Sequence, residues 1–206
     1  MKFLIFLWPL FLSWSAAADW EANFVATSTK KEFTRTTGKF YAKGGLFRAD
    51  VTEPLALSLY LNSSSTKAEA ALTSFRMRLT TDLQRFSGQI PACLSRTFLD
   101  CVSRFSLKKV REEKCGDGTS TQVCEIYIGK GKFKDFRKIE IWHWKGEAEP
   151  VFAKNIITKK DGSEIQIEFS GISRKSREPS FFKIPSGYIN AGSLDRFLND
   201  FKGQSE

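Results

Sequence analysis

Few residues of this chain are of types that do chemistry. His143 is its single histidine. It stands between Trp142 and Trp144 in an apolar run, has no second imidazole with which to build a metal site, and is expected to be a packed side chain rather than a base. The four cysteines, Cys93, Cys101, Cys115 and Cys124, show no C-x-x-C spacing of a redox or zinc centre. No serine lies in a Gly-x-Ser-x-Gly elbow. Glu112 with Glu113, or Glu147 with Glu149, could serve as acid and base on a glycoside. Their alternation with Lys and Arg reads instead as a solvated hairpin edge. Phe133, Lys134, Phe136, Arg137 and Lys138 interleave bases with rings as a single-strand nucleic-acid site would. These readings lead to the expectation of no enzyme, no metal, no cofactor and no nucleic acid.

Export supports the last of these. Residues 1–18, MKFLIFLWPLFLSWSAAA, have one basic residue, an apolar core from Phe3 to Trp14, and small residues at Ala16 and Ala18. That pattern is a secretory signal, with cleavage expected before Asp19. As a membrane anchor the run falls short of the roughly 20 residues a span needs, and Pro9 interrupts it. Residues 19–206 suit one domain with a sizeable core. The net charge of +9 is spread through the chain, apart from clusters at 108–111, 130–138 and 174–177. Each cluster reads first as a solvated strand face or turn; the alternative is attraction to anionic lipid head groups or an acidic partner, which would weaken with salt. In an oxidising compartment an even number of cysteines implies two disulfides, and four allow three connectivities. Cys115 with Cys124 is favoured because they bracket a turn-rich loop, which leaves Cys93 with Cys101.

The elements around these residues follow from periodicity. Ala22, Phe24 and Ala26 mark an opening strand that Thr and Lys extend toward Thr37. A hairpin turns at Lys43–Gly45, with Phe40, Ala42, Phe47, Ala49 and Val51 on one side. Leu55, Leu57, Leu59 and Leu61 recur every second residue, as in a half-buried strand. From Ser63 to Gly88 the period changes. Ala68, Leu72, Phe75, Leu79, Leu83 and Phe86 recur at threes and fours, which predicts an amphipathic helix. Residues 92–105 form a shorter helix or connection stapled by cysteines, and Ser106–Lys114 pairs with Gln122–Ile128. Ile139, Ile141 and His143 point one way from their strand, Trp142 and Trp144 the other. Asp161-Gly162 turns a hairpin between Ile157 and Ile165. Ile165, Ile167 and Phe169 then alternate with Glu164, Gln166 and Glu168, and Ser193–Phe201 closes the chain as a short helix.

Three of these stretches resemble the bacterial lipoprotein-carrier superfamily of LolA and LolB, and its secreted relatives in particular. They are GKFYAKGGLFRADVTEP (38–54), the Trp strand followed by Pro150 and an apolar strand, and FFKIPSGY (181–188). The resemblance covers about half of residues 19–206 and includes no catalytic signature, so it speaks to fold more than chemistry. It implies an α+β fold: a strongly curved antiparallel sheet, an open half-barrel, with helices on the concave face. Such carriers begin with a helix for which this chain has almost no room. The arginine that latches their lid is matched here by Gly44.

The resemblance implies a non-enzymatic periplasmic carrier or binding protein for a lipid, a lipoprotein acyl chain or another apolar ligand, as in outer-membrane lipoprotein transport. The alternative is the same fold with a filled core, serving as an interaction or sensor module in the envelope. The expected lining comprises Phe40, Phe47, Val51, Leu57, Leu59, Ile126, Ile165, Ile167 and Phe169. Leu72, Phe75 and Leu79 would lie on a helical lid.

Overall fold

The computed structural model describes residues 19–30, 35–82, 93, 95–115, 122–130 and 136–197. Twelve strands are present among them: β1 (Trp20–Ser28), β2 (Arg35–Lys43), β3 (Leu46–Glu53), β4 (Leu57–Asn62), β5 (Lys67–Leu72), β6 (Met77–Asp82), β7 (Lys108–Lys114), β8 (Val123–Gly129), β9 (Phe136–Trp144), β10 (Phe152–Lys159), β11 (Glu164–Arg174) and β12 (Ile189–Ser193). They form one open sheet in the order β12-β6-β5-β4-β3-β2-β1-β11-β10-β9-β8-β7. Every pairing is antiparallel except β12 with β6.

This order is two meanders joined where β1 meets β11. One meander runs outward from β1 to β6; the other runs inward from β7 to β11. The chain must therefore cross the sheet twice, and it uses one face for each crossing. Between β6 and β7 it carries α1 (Phe98–Phe105), whose Phe98, Cys101 and Phe105 enter the main core cluster. Between β11 and β12 it crosses the opposite face. There Phe181, in the 3-10 turn Pro179–Phe182, packs on Tyr41 with ring centroids 4.9 Å apart. Arg48 lies 4.3 Å from the Phe181 ring and donates from Nη1 to the Phe181 carbonyl at 3.2 Å. Arg177 binds Glu21 through Nη2 at 2.5 Å and gives its backbone N–H to Asp19 at 3.1 Å. The FFKIPSGY stretch is thus a strap tied by ring and guanidinium contacts.

The inner face follows the period of two. Across β1, β2 and β3, large side chains oppose small ones: Trp20 faces Ala42, which faces Phe47, and Ala22 faces Phe40, which faces Ala49. All six are buried. Alternation of this kind lets side chains of adjacent rows interdigitate without voids. At one edge, β7 (KKVREEK) is exposed along its length, and its charges deter pairing with another chain.

Two elements differ from expectation. The predicted helix over 63–88 is, in its described part, the hairpin β5–β6 with a 3-10 turn at Thr73–Phe75. The apolar positions fit either period, and cross-strand burial of Ala68, Ala70 and Leu72 beside Leu79 selects the strand. Leu83, Phe86 and Gly88 lie outside the described residues. The opening strand also stops at Ser28 rather than continuing to Thr37, since β2 begins at Arg35 and folds back on β1. Residues 194–197 take a helical turn, with Leu194 buried, where the closing helix was predicted; 198–201 lie outside the described residues.

Candidate functional site

The acid–base candidates singled out in the sequence, His143, Glu112, Glu113, Glu147 and Glu149, are each engaged in contacts within the fold. His143 is 2% exposed and stacked on Phe98, with ring centroids 3.5 Å apart and planes inclined by 4°. Its Nε2 lies 2.7 Å from the Glu149 carbonyl. A carbonyl can only accept, so Nε2 carries the proton and donates. Burial lowers the pKa of this imidazole below the ordinary histidine value. Glu112 accepts from Lys109 and Lys145, at 2.5 and 2.7 Å, and is held at about 2 by those hydrogen bonds. Glu113 accepts from Trp142 Nε1 at 2.6 Å and from Arg111 at 3.1 Å; both hydrogen bonds, the Trp142 one foremost, lower its pKa. Glu147 and Glu149 share Arg174. Glu112 and Glu113, with pKa values lowered by their hydrogen-bond donors, serve poorly as proton donors. Of the basic–aromatic run, Phe133 and Lys134 lie outside the described residues.

A testable consequence attaches to His143. Its folded pKa is depressed, so between that value and the unfolded value of about 6.5 the unfolded chain binds more protons. The stability it contributes is complete above about pH 6.5 and is lost as pH falls, by at most about 1.4 kcal/mol per pH unit. Urea midpoints measured from pH 7.5 to 5 should fall for the native protein, and His143→Gln should flatten part of that fall.

The apolar side chains are arranged in two depths on the inner face. Phe40, Phe47, Leu59, Ile167 and Phe169 lie deep, with Leu72 on β5 and Leu79 on β6 beside them; all seven are buried. Their rings touch: Phe40 lies 5.2 Å from Trp20, 6.0 Å from Phe47 and 5.7 Å from Phe169, centroid to centroid. Nearer one end, Val51, Leu57 and Ile165 are half-exposed while still packed against the same cluster. Phe24, Ala26 and Met77 share both properties. Along the register, Leu57 faces Val51, Val51 faces Gly38, and Gly38 faces Phe24. A Cβ on Gly38 would stand 2.1 Å from the Asp50 carbonyl oxygen and 2.8 Å from the Phe24 ring. The missing side chain is what lets that ring lie across the strand. The result is a half-open apolar rim above a closed aromatic floor.

One expected lining residue, Ile126, and one expected lid residue, Phe75, lie apart from this surface. Ile126 pairs with Trp142 and belongs to a separate cluster with Cys124 on the opposite face; the neighbouring Tyr127 takes the inner position, opposite Ile141. Phe75 is 66% exposed in the turn between β5 and β6, so it caps no helical lid. Phe24, Ala26 and Met77 escaped the sequence reading. The alternation of Ala22, Phe24 and Ala26 along one strand face is the signal that assigns Phe24 and Ala26 here. Both disulfides are as favoured: Cys93–Cys101 and Cys115–Cys124, with Cα atoms 5.6 and 5.7 Å apart.

No protein-family model matches the chain, and no curated protein sequence does. Solved structures similar to it include a LolA superfamily protein from Nitrosomonas europaea, at 10% identity and a TM-score of 0.46, covering 81% of this chain and 90% of that one. A putative outer membrane lipoprotein-sorting protein domain from Vibrio parahaemolyticus is similar at 10% identity and a TM-score of 0.46, over 82% and 91%. The MucA/MucB complex of Pseudomonas aeruginosa is a third, at 10% identity and 0.43, over 83% of this chain and 57% of that one.

Proposed function

We propose that this protein is an exported, non-enzymatic binding protein of the lipoprotein-carrier kind, which takes an acyl chain or similar apolar ligand against the inner face of a curved half-barrel. The observation that carries this reading is the half-exposed rim of Phe24, Val51, Leu57 and Ile165, contiguous with the buried aromatic floor. Apolar surface withdrawn from water contributes roughly 25 cal/mol per Å², so an alkyl chain laid along such a rim is stabilised without any polar recognition. Two disulfides and the leader-like residues 1–18 favour the periplasm as its compartment. The basic balance of the chain favours transient contact with an anionic membrane surface.

The mutual contact of the floor rings favours a second reading, in which the interior stays filled and the protein is an interaction module in the envelope. Titration with the apolar fluorophore N-phenyl-1-naphthylamine separates the two. Leu57→Glu places a charge on the rim at a half-exposed position. It is expected to weaken uptake at least tenfold while the far-UV circular dichroism and urea midpoint stay close to the native values.

A further inference from the structure

The inner face carries a polar group that the apolar reading leaves unused. Asn155 on β10 is 0% exposed, and neither its Oδ1 nor its Nδ2 has a hydrogen-bond partner. In the register it faces Ile141 on one side and Ile167 on the other, both buried members of the main cluster. A buried polar group without a partner is destabilising, and an apolar residue of similar size would incur no such cost. Two other buried atoms on the same face are also unpartnered, His143 Nδ1 and Trp20 Nε1. Position distinguishes Asn155. The next inner pair along β10 and β11 is Ile157 with Ile165, and Ile165 is half-exposed at the rim. The amide therefore sits one residue pair inward of the half-exposed Ile165.

We propose that Asn155 is a ligand-recognition residue: its carboxamide receives the carbonyl of an acyl ligand whose alkyl chain lies along the rim. Nδ2 donates to that carbonyl, and Oδ1 accepts from an amide N–H where the ligand has one. The ligand class is accordingly an acyl ester or amide rather than a bare hydrocarbon. This inference rests on the binding reading above and adds to it a preference between ligands of equal carbon number.

The test is displacement of N-phenyl-1-naphthylamine by methyl laurate and by tridecane, with native protein, Asn155→Leu and Asn155→Ala. The native protein is expected to bind methyl laurate about tenfold more tightly than tridecane, the worth of one hydrogen bond in a dry site. Both variants should lose that preference by weakening methyl laurate alone. Asn155→Leu is expected to fold at least as stably as the native chain, because it removes an unpaired amide; Asn155→Ala removes the same amide without adding volume. A preference that survives in the variants overturns the assignment. So does equal binding of the two compounds by native protein, which would mean that Asn155 holds only a structural water while the binding reading stands. Displacement by neither compound, with no uptake of the fluorophore itself, overturns the binding reading and the assignment with it.

Discussion

Phe40→Ala is expected to cost about 3–5 kcal/mol of folding stability, the range for removing a buried phenylalanine. The reason lies in its row. Phe40 faces Ala22 on β1 and Ala49 on β3, so its ring fills the space over two alanines as well as its own position. It also bridges Trp20, Phe47 and Phe169. Truncation leaves three alanines side by side in the middle of the sheet, and none can extend into the void. Small neighbours with short side chains collapse least, which puts this site toward the upper end of the range. Urea denaturation with an unchanged m-value would measure the loss as a shift in midpoint. A cost under 1 kcal/mol would mean that the ring does not support the floor.

The second large effect is expected from removing the Cys93–Cys101 disulfide. Closing a loop of this sequence separation, 8 residues, removes unfolded-state entropy worth about 2–3 kcal/mol. The cross-link does more than close a loop. The eight residues of α1 are too few to hold a helix in water on their own. Its Thr97–Asp100 capping box secures one end, and burial of Phe98, Cys101 and Phe105 secures one face. The staple fixes Cys101 in that face. In a Cys93→Ala/Cys101→Ala variant, α1 should loosen from the sheet and uncover His143, which stacks on Phe98. The expected readouts are a lower urea midpoint and an imidazole that titrates nearer its ordinary range by NMR. Unchanged values of both would assign the docking of α1 to packing alone.

Much of this architecture is legible in the sequence wherever a turn signal and a period of two coincide. The β2–β3 hairpin follows from Lys43-Gly44-Gly45, and β10–β11 from Asp161-Gly162. The two-faced β9 follows from isoleucines alternating with tryptophans. The β5–β6 hairpin was not legible, because Ala68, Leu72 and Leu79 satisfy a helical spacing as well as an extended one. Alanine, a good helix former, occupies inner strand positions there only because Leu59 and its neighbours fill the space opposite. Ile126 differs from expectation by the parity of its strand: Cys124 faces Trp144, which commits Ile126 to the Trp142 side. β12 has a sequence, INAGS, with no apolar alternation to announce it, and only the returning strap brings it beside β6. Asn155 was detectable in principle. It stands two residues before Ile157, on a parity the isoleucines assign to the interior.

The central claim is that the rim above the aromatic floor takes up an apolar chain. It is tested most directly by titrating native protein and Leu57→Glu, side by side, with N-phenyl-1-naphthylamine. Saturable uptake by the native protein, at least tenfold weaker in a folded Leu57→Glu, is the result expected. Absence of saturable uptake by the native protein, or equal uptake by the two, would contradict it.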